Sequence, residues 1–178
     1  MFFNVSQLMK EHSGASRQYA VDTRAAVGDD PSQPVHGRVR LLRTDRGVWV
    51  SASLDSQVVC SCSRCLAEYL QPIHMDIEEE FLPTIDVNTG ARLAVPREDD
   101  ENFYIDHNHI LDLSEAVRQY SYMSVPMKPV CRQDCPGLCT QCGANLNDGP
   151  CPCDAVLRDS RWGPLLDMVQ AAEDHRGS

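Results

Sequence analysis

Nine cysteines carry most of the chemistry open to this 178-residue sequence, and eight of them fall in close pairs. Cys139-Thr-Gln-Cys142 brackets a tight turn, and Gly143 follows it, free to take the positive φ that brings backbone N–H groups near sulfur. After eight intervening residues comes Cys151-Pro-Cys153, near enough to complete a tetrahedron of thiolates. Zinc takes such a set, with sulfur about 2.3 Å from the ion. Asn145, Asn147 and Gly149 make the stretch between the pairs prone to turn. Cys62-x-x-Cys65 and Cys131-x-x-x-Cys135 supply four further ligands. The most economical arrangement is a second four-thiolate site built from these two pairs, pinning a cysteine-rich lobe onto a sheet. A site mixing Cys62 and Cys65 with Cys139 and Cys142 satisfies the spacing equally. The expected cofactor is Zn2+, one ion or two, with Cys60 left over.

Other uses of the same residues fit the sequence less well. Dithiol redox pairs sit at a helix N-terminus beside a βαβ pattern, and none is visible. An odd number of cysteines would leave one thiol outside any disulfide framework. Four thiolates around zinc leave no open position for water, and no HExxH, GxSxG or phosphate loop accompanies them. The chain is therefore expected not to be an enzyme. His107-x-His109, beside Asp106 and Asn108, reads as a polar loop rather than a metal pair. The run Glu78-Glu79-Glu80 reads as a solvated strand end.

Positioning these thiols needs a scaffold, and 42% hydrophobic residues suffice for an ordinary core. In Val35–Arg43, Val35, Val39 and Leu41 share one face, while His36, Arg38 and Arg40 share the other. After a turn at Thr44–Gly47, Val48, Val50, Ala52 and Leu54 alternate with polar residues. A third run sets Ile73, Met75, Ile77 and Phe81 opposite His74, Asp76, Glu78 and Glu80. These runs predict an antiparallel meander with one wet face. Asn4 is suited to cap a short helix over Val5–Glu11, with Leu8 and Met9 inward. Asp112-x-x-Glu115 resembles a capping box, opening a helix whose inner stripe is Leu113, Ala116, Val117 and Tyr120. A last helix is expected over about Gly163–His175. The fold class is α+β: an antiparallel β-meander or small partly open barrel, a few helices, and a C-terminal cysteine-rich zinc lobe. The expected division is 1–125, holding the sheet and an acidic, unperiodic loop at 83–101, and 126–178, holding the zinc lobe with its helix packed on it.

The start has no basic stretch followed by a long apolar one, and no run of 18 apolar residues exists, so a cytoplasmic protein without membrane attachment is expected. In that reducing compartment, clustered cysteines favour metal. The net charge of −10 argues against an extended nucleic-acid surface. Residues 66–115 hold 13 Asp and Glu against 2 Lys and Arg, a balance that suits a basic protein partner. Arg38 and Arg40, with Arg43 and Arg46 at the adjoining turn, form the one local patch where RNA contact is expected.

Four segments together resemble the bacterial YceD family: CSRCLAEY (62–69), IDHNHILDLSEAV (105–117), VPMKPVCRQDCPGLCTQCGANLN (125–147) and CPCDAVLRDSRW (151–162). The resemblance runs from about Val35 to Leu166 and covers all eight paired cysteines, but not Cys60. It implies a part in accumulation of large-subunit ribosomal RNA, through ribosome assembly or precursor stability. The implied partners are a pre-ribosomal particle, large-subunit rRNA or a basic ribosomal protein. A redox-sensitive zinc-thiolate chaperone is the alternative, since CxC with CxxC occurs in such proteins.

Overall fold

The computed structural model describes residues 1–93 and 103–153, together with Met168. Apart from Met168, the expected helix over Gly163–His175 lies outside the described residues, as does the acidic run Glu98–Glu101. The elements are β1 (Phe2–Asn4), α1 (Ser6–Lys10), β2 (Ser16–Val27), β3 (Asp30–Arg43), β4 (Val48–Ser61), β5 (Glu68–Pro83), β6 (Phe103–Ile105), β7 (Ile110–Asp112) and α2 (Ser114–Met123). The chain divides into two compact units, Met1–Cys62 with Ala67–Cys131, and Ser63–Leu66 with Arg132–Ser178. All of these elements fall in the first.

Alternation builds the first unit. Val39, Ala52 and Ile77 lie side by side on β3, β4 and β5, and so do Gly37, Leu54 and Met75. Side chains repeat with a period of two along a strand, so the apolar residues of these rows share one face. Val35, Val39, Leu41, Val50, Leu54, Met75 and Ile77 are completely buried there. The opposite face carries His36, Arg38, Ser53, Asp55, His74 and Asp76, all exposed, with Ser51 beside them half-buried. Gly37 sits where β3 presses on β4: a Cβ there would lie 2.1 Å from the Ser53 carbonyl oxygen, and its φ is +150°.

The protein is mostly β, with helices a minor part. Seven strands in the order β1-β7-β6-β5-β4-β3-β2 form one sheet curled into a half-barrel. β2 to β5 are an antiparallel meander, but β5 and β6 pair in parallel, so the sheet is mixed rather than wholly antiparallel. The strand β2 was not anticipated, because only Val21 and Val27 of its twelve residues are buried. An edge strand needs little apolar alternation, and its charges discourage further pairing. The two sheet ends meet through side chains, with the Phe3 and Tyr19 rings 5.2 Å apart.

Both helices pack into the same core. α1 buries Leu8 and Met9, as the sequence predicts, though Val5 stands at the N-cap and Asn4 accepts from the Ser6 N–H at 3.0 Å. α2 buries Ala116 and Val117. Its start is not a reciprocal capping box: Asp112 accepts the Ser114 N–H at 3.0 Å, and Glu115 turns to Arg118 instead. Nor is the acidic run wholly solvated. Glu79 accepts from the Tyr120 hydroxyl at 2.9 Å and Glu80 from Thr44 Oγ1 at 2.7 Å. The expected 83–101 loop begins as an ordered turn, where Asp86 Oδ1 accepts the N–H groups of Asn88 and Thr89.

Candidate metal centre

The second unit folds its cysteine loop by backbone bonds. The Gly143 N–H reaches the Cys139 carbonyl at 2.9 Å, closing the CxxC turn, and Gly143 has the left-handed φ of +73° that such a turn requires. Cys139 N–H returns to the Ala144 carbonyl at 2.8 Å, and Leu146 N–H to the Gly137 carbonyl at 2.9 Å. The chain therefore doubles back on itself between Cys139 and Cys151. The result brings Cys139, Cys142, Cys151 and Cys153 together, every sulfur within 4.8 Å of the other three. Cys142 is exposed and the other three are partly so.

A second set comprises Cys62, Cys65, Cys131 and Cys135, again with all four sulfurs within 4.8 Å of one another. Cys62 closes β4, and its N–H bonds the Ala67 carbonyl at 2.9 Å across a turn in which Leu66 takes φ +60°. Cys135 N–H bonds the Arg132 carbonyl at 3.2 Å. Cys62, Cys65 and Cys135 are buried, so this set is far less open than the other. The fold does not bring together the mixed alternative of Cys62 and Cys65 with Cys139 and Cys142.

Both sets suit one ion of tetrahedral preference. Sulfurs about 2.3 Å from a common centre stand about 3.8 Å apart, inside the observed limit. The surroundings of the thiols in the open set point the same way. Two backbone N–H groups, those of Cys142 and then Gln141, pull the Cys139 thiol down to about 6. The hydrogen bond with Cys142, followed by burial, pushes Cys153 up to about 12. Four sulfurs so close cannot all ionise unaided, because like charges hold protons on their neighbours. A divalent cation removes that conflict by accepting all four thiolates.

Other residues singled out by sequence fall elsewhere. Cys60 lies on the core face of β4 and lines a cavity of about 180 Å³ with Val27, Val58, Ser121 and Val125. Arg38 and Arg40 are exposed on the wet face. Arg43 is committed to the backbone, bonding the Met9 carbonyl at 3.4 Å, the Gly47 carbonyl at 2.9 Å and the Thr44 carbonyl. Arg46 stands 3.8 Å from Glu80. His107 and His109 sit in the β6–β7 turn, organised by Asp106, and belong to neither sulfur cluster.

One arrangement escaped sequence reasoning. Asp22, His36, Asp55 and His74 form a row across four strands. His36 Nδ1 lies 2.9 Å from Asp22, and His74 bridges Asp55 at 2.7 Å and Asp76 at 3.1 Å. The hydrogen bond to Asp55, with Asp76 adding to it, raises the His74 pKa. Only knowledge of the strand register reveals this row.

The family model described as large ribosomal RNA subunit accumulation protein YceD matches residues 50–168. An uncharacterized protein of Mycobacterium tuberculosis is 29% identical over 136 residues, covering 76% of this chain and 62% of that one. The large ribosomal RNA subunit accumulation protein YCED homolog 1, chloroplastic, of Zea mays is 28% identical over 153 residues, covering 74% of this chain and 52% of that one. Its Arabidopsis thaliana counterpart is 30% identical over 67 residues, or 38% of this chain and 21% of that one. The chain thus spans less than two thirds of the length of these curated relatives. No solved structure matches it.

Proposed function

The chain belongs to the YceD family, and on that premise we propose that it is a non-catalytic zinc-binding factor supporting large-subunit rRNA accumulation. The observation that carries this reading is the pair of all-cysteine clusters. Each would hold one Zn2+ in a closed shell of four thiolates. Zinc supplies folding energy there and keeps no position for a reacting water. Cys62, Cys65, Cys131 and Cys135 would hold one ion, and Cys139, Cys142, Cys151 and Cys153 the other.

Binding, not catalysis, is then the work. Ser53, His74 and Asp55 share the hydrogen-bond order of a nucleophilic triad, with Ser53 Oγ 3.3 Å from His74 Nε2. Asp76 competes for that same nitrogen at 3.1 Å, and all of these groups lie on an open strand face. A base must accept the nucleophile's proton, and a carboxylate on Nε2 favours keeping a proton there instead. The partner is a pre-ribosomal particle, met through large-subunit rRNA or a basic ribosomal protein. Arg38 and Arg40 would reach neighbouring phosphates about 6.5–7 Å apart, being two residues apart on one strand. Asp76 and Glu78 share that face two strands away and limit its affinity for RNA.

Capture of the tagged chain from cells, with sequencing of bound RNA, tests the proposal. Large-subunit rRNA precursors should be enriched with the parent chain and lost with Cys62→Ser or Cys139→Ser. Bound RNA that mirrors total cellular RNA would sink it. One observation favours a second reading, the redox-sensitive chaperone: Cys142 is exposed beside the readily ionised Cys139. That reading requires suppression of client aggregation to appear only after peroxide treatment.

A further inference from the structure

The loop between Cys142 and Cys151 carries Asn147, whose amide nitrogen lies 3.4 Å from the sulfur of Cys135 in the other cluster. We infer that Asn147 is a positioning residue through which the open cluster helps the buried cluster retain its metal. The inference rests on the proposed reading that both clusters hold an ion.

Hydrogen-bond logic fixes which way the amide points. The backbone N–H of Asn147 can only donate, and it meets Asn145 Oδ1 at 3.1 Å, so that atom is an oxygen. The same oxygen lies 2.7 Å from the side-chain nitrogen of Asn147, which must therefore be the donating end. That NH2 group has two hydrogens, and its second partner is Cys135 Sγ. The opposite end, Asn147 Oδ1, is buried without a hydrogen-bond partner among the described residues. Leaving an acceptor unpaired is costly, and it persists here with the NH2 group held against sulfur.

A donor on a coordinating thiolate disperses its charge and fixes its orientation. The loop bearing this donor is closed at both ends by ligands of the open cluster, Cys142 and Cys151. It is also bonded at Leu146 to Gly137, two residues after Cys135. Metal in the open cluster would tie down both loop ends, keeping Asn147 in place. Loss of that metal frees the loop and withdraws the donor. Exposure sets the order of loss, since Cys142 is open to solvent while Cys62, Cys65 and Cys135 are buried.

The test follows zinc leaving the fully loaded chain into excess 4-(2-pyridylazo)resorcinol. The parent should release two ions, a fast one from the open cluster and a slow one from the buried cluster. Asn147→Ala should still bind two ions at saturation, with the slow phase quickened about tenfold. Asn147→Asp keeps the size but turns oxygen toward sulfur, so it should quicken that phase further. In the Co2+-loaded chain both variants should shift the thiolate charge-transfer band, which a purely structural role leaves alone. Cys142→Ser should bind one ion and release it faster than the parent's slow phase. An unchanged slow phase in Asn147→Ala and Asn147→Asp, or a larger effect of Ala than of Asp, overturns the inference. A parent that binds fewer than two ions contradicts the two-site reading itself.

Discussion

Replacing Cys142 by Ser removes a thiolate from the open cluster, whereas Cys60→Ser alters a buried thiol that belongs to neither set. Metal-binding energy in such a lobe is largely folding energy, so the first change should be the costlier. Cys60→Ser should cost about 1 kcal/mol, a Tm shift of roughly 2–4 °C, and Cys142→Ser at least twice that. Melts of the zinc-loaded variants check this, and equal shifts would refute the ligand assignment. His74 gives a second residue-scale expectation. Its folded pKa is raised by Asp55 and then Asp76, so its contribution is fully present below the ordinary value near 6.5. That contribution fades as pH rises through the raised folded value. NMR titration should put the His74 midpoint above the ordinary value and move it down in Asp55→Asn; an unmoved midpoint would discard the bond to Asp55 as the cause. The two cases also divide what was legible. Paired cysteines announce themselves by local spacing, but Asp55 and His74 are nineteen positions apart and meet only through strand register. The bonds of Arg43 to the Met9, Thr44 and Gly47 carbonyls were equally hidden, since local spacing does not show which backbone a guanidinium reaches.

At the scale of elements, the closest approach is Gly37 against β4. A methyl group there would collide with the Ser53 carbonyl, and neighbouring backbone cannot yield without breaking the β3–β4 ladder. Gly37→Ala should therefore destabilise the chain by about 2 kcal/mol or more, read as a lowered urea midpoint with unchanged slope. A midpoint equal to the parent's would mean that the sheet relaxes freely at this crossing. β3, β4 and β5 were readable because each buries one face and alternates cleanly. β2 was not, because an edge strand with little burial carries no period. β6 and β7 are three residues each, too short to show one. Their pairing depends on β5 and β1, partners distant in sequence. The parallel step from β5 to β6 had no local signature at all.

Across the whole molecule, charge and metal set the expected behaviour. The chain carries −10 overall, so any attraction to RNA must be local and salt-sensitive. Arg38→Ser with Arg40→Ser should weaken association with pre-ribosomal RNA and flatten its salt dependence, leaving zinc content intact. Association equal to the parent's at every salt concentration would remove the patch as an RNA contact. No described helix is long and apolar enough to cross a membrane. The cysteine sets were the most legible part of the candidate site, since eight sulfurs in four close pairs leave few ways to combine. Which pairs combine was settled only by the folded chain, which groups Cys62 and Cys65 with Cys131 and Cys135. Native mass spectrometry of the intact chain purified from cells without added metal tests the central claim most directly, alongside titration of reactive thiols. The account predicts two zinc ions per chain and one protected but unligated thiol, that of Cys60. A folded, metal-free chain with nine freely reactive thiols would contradict it.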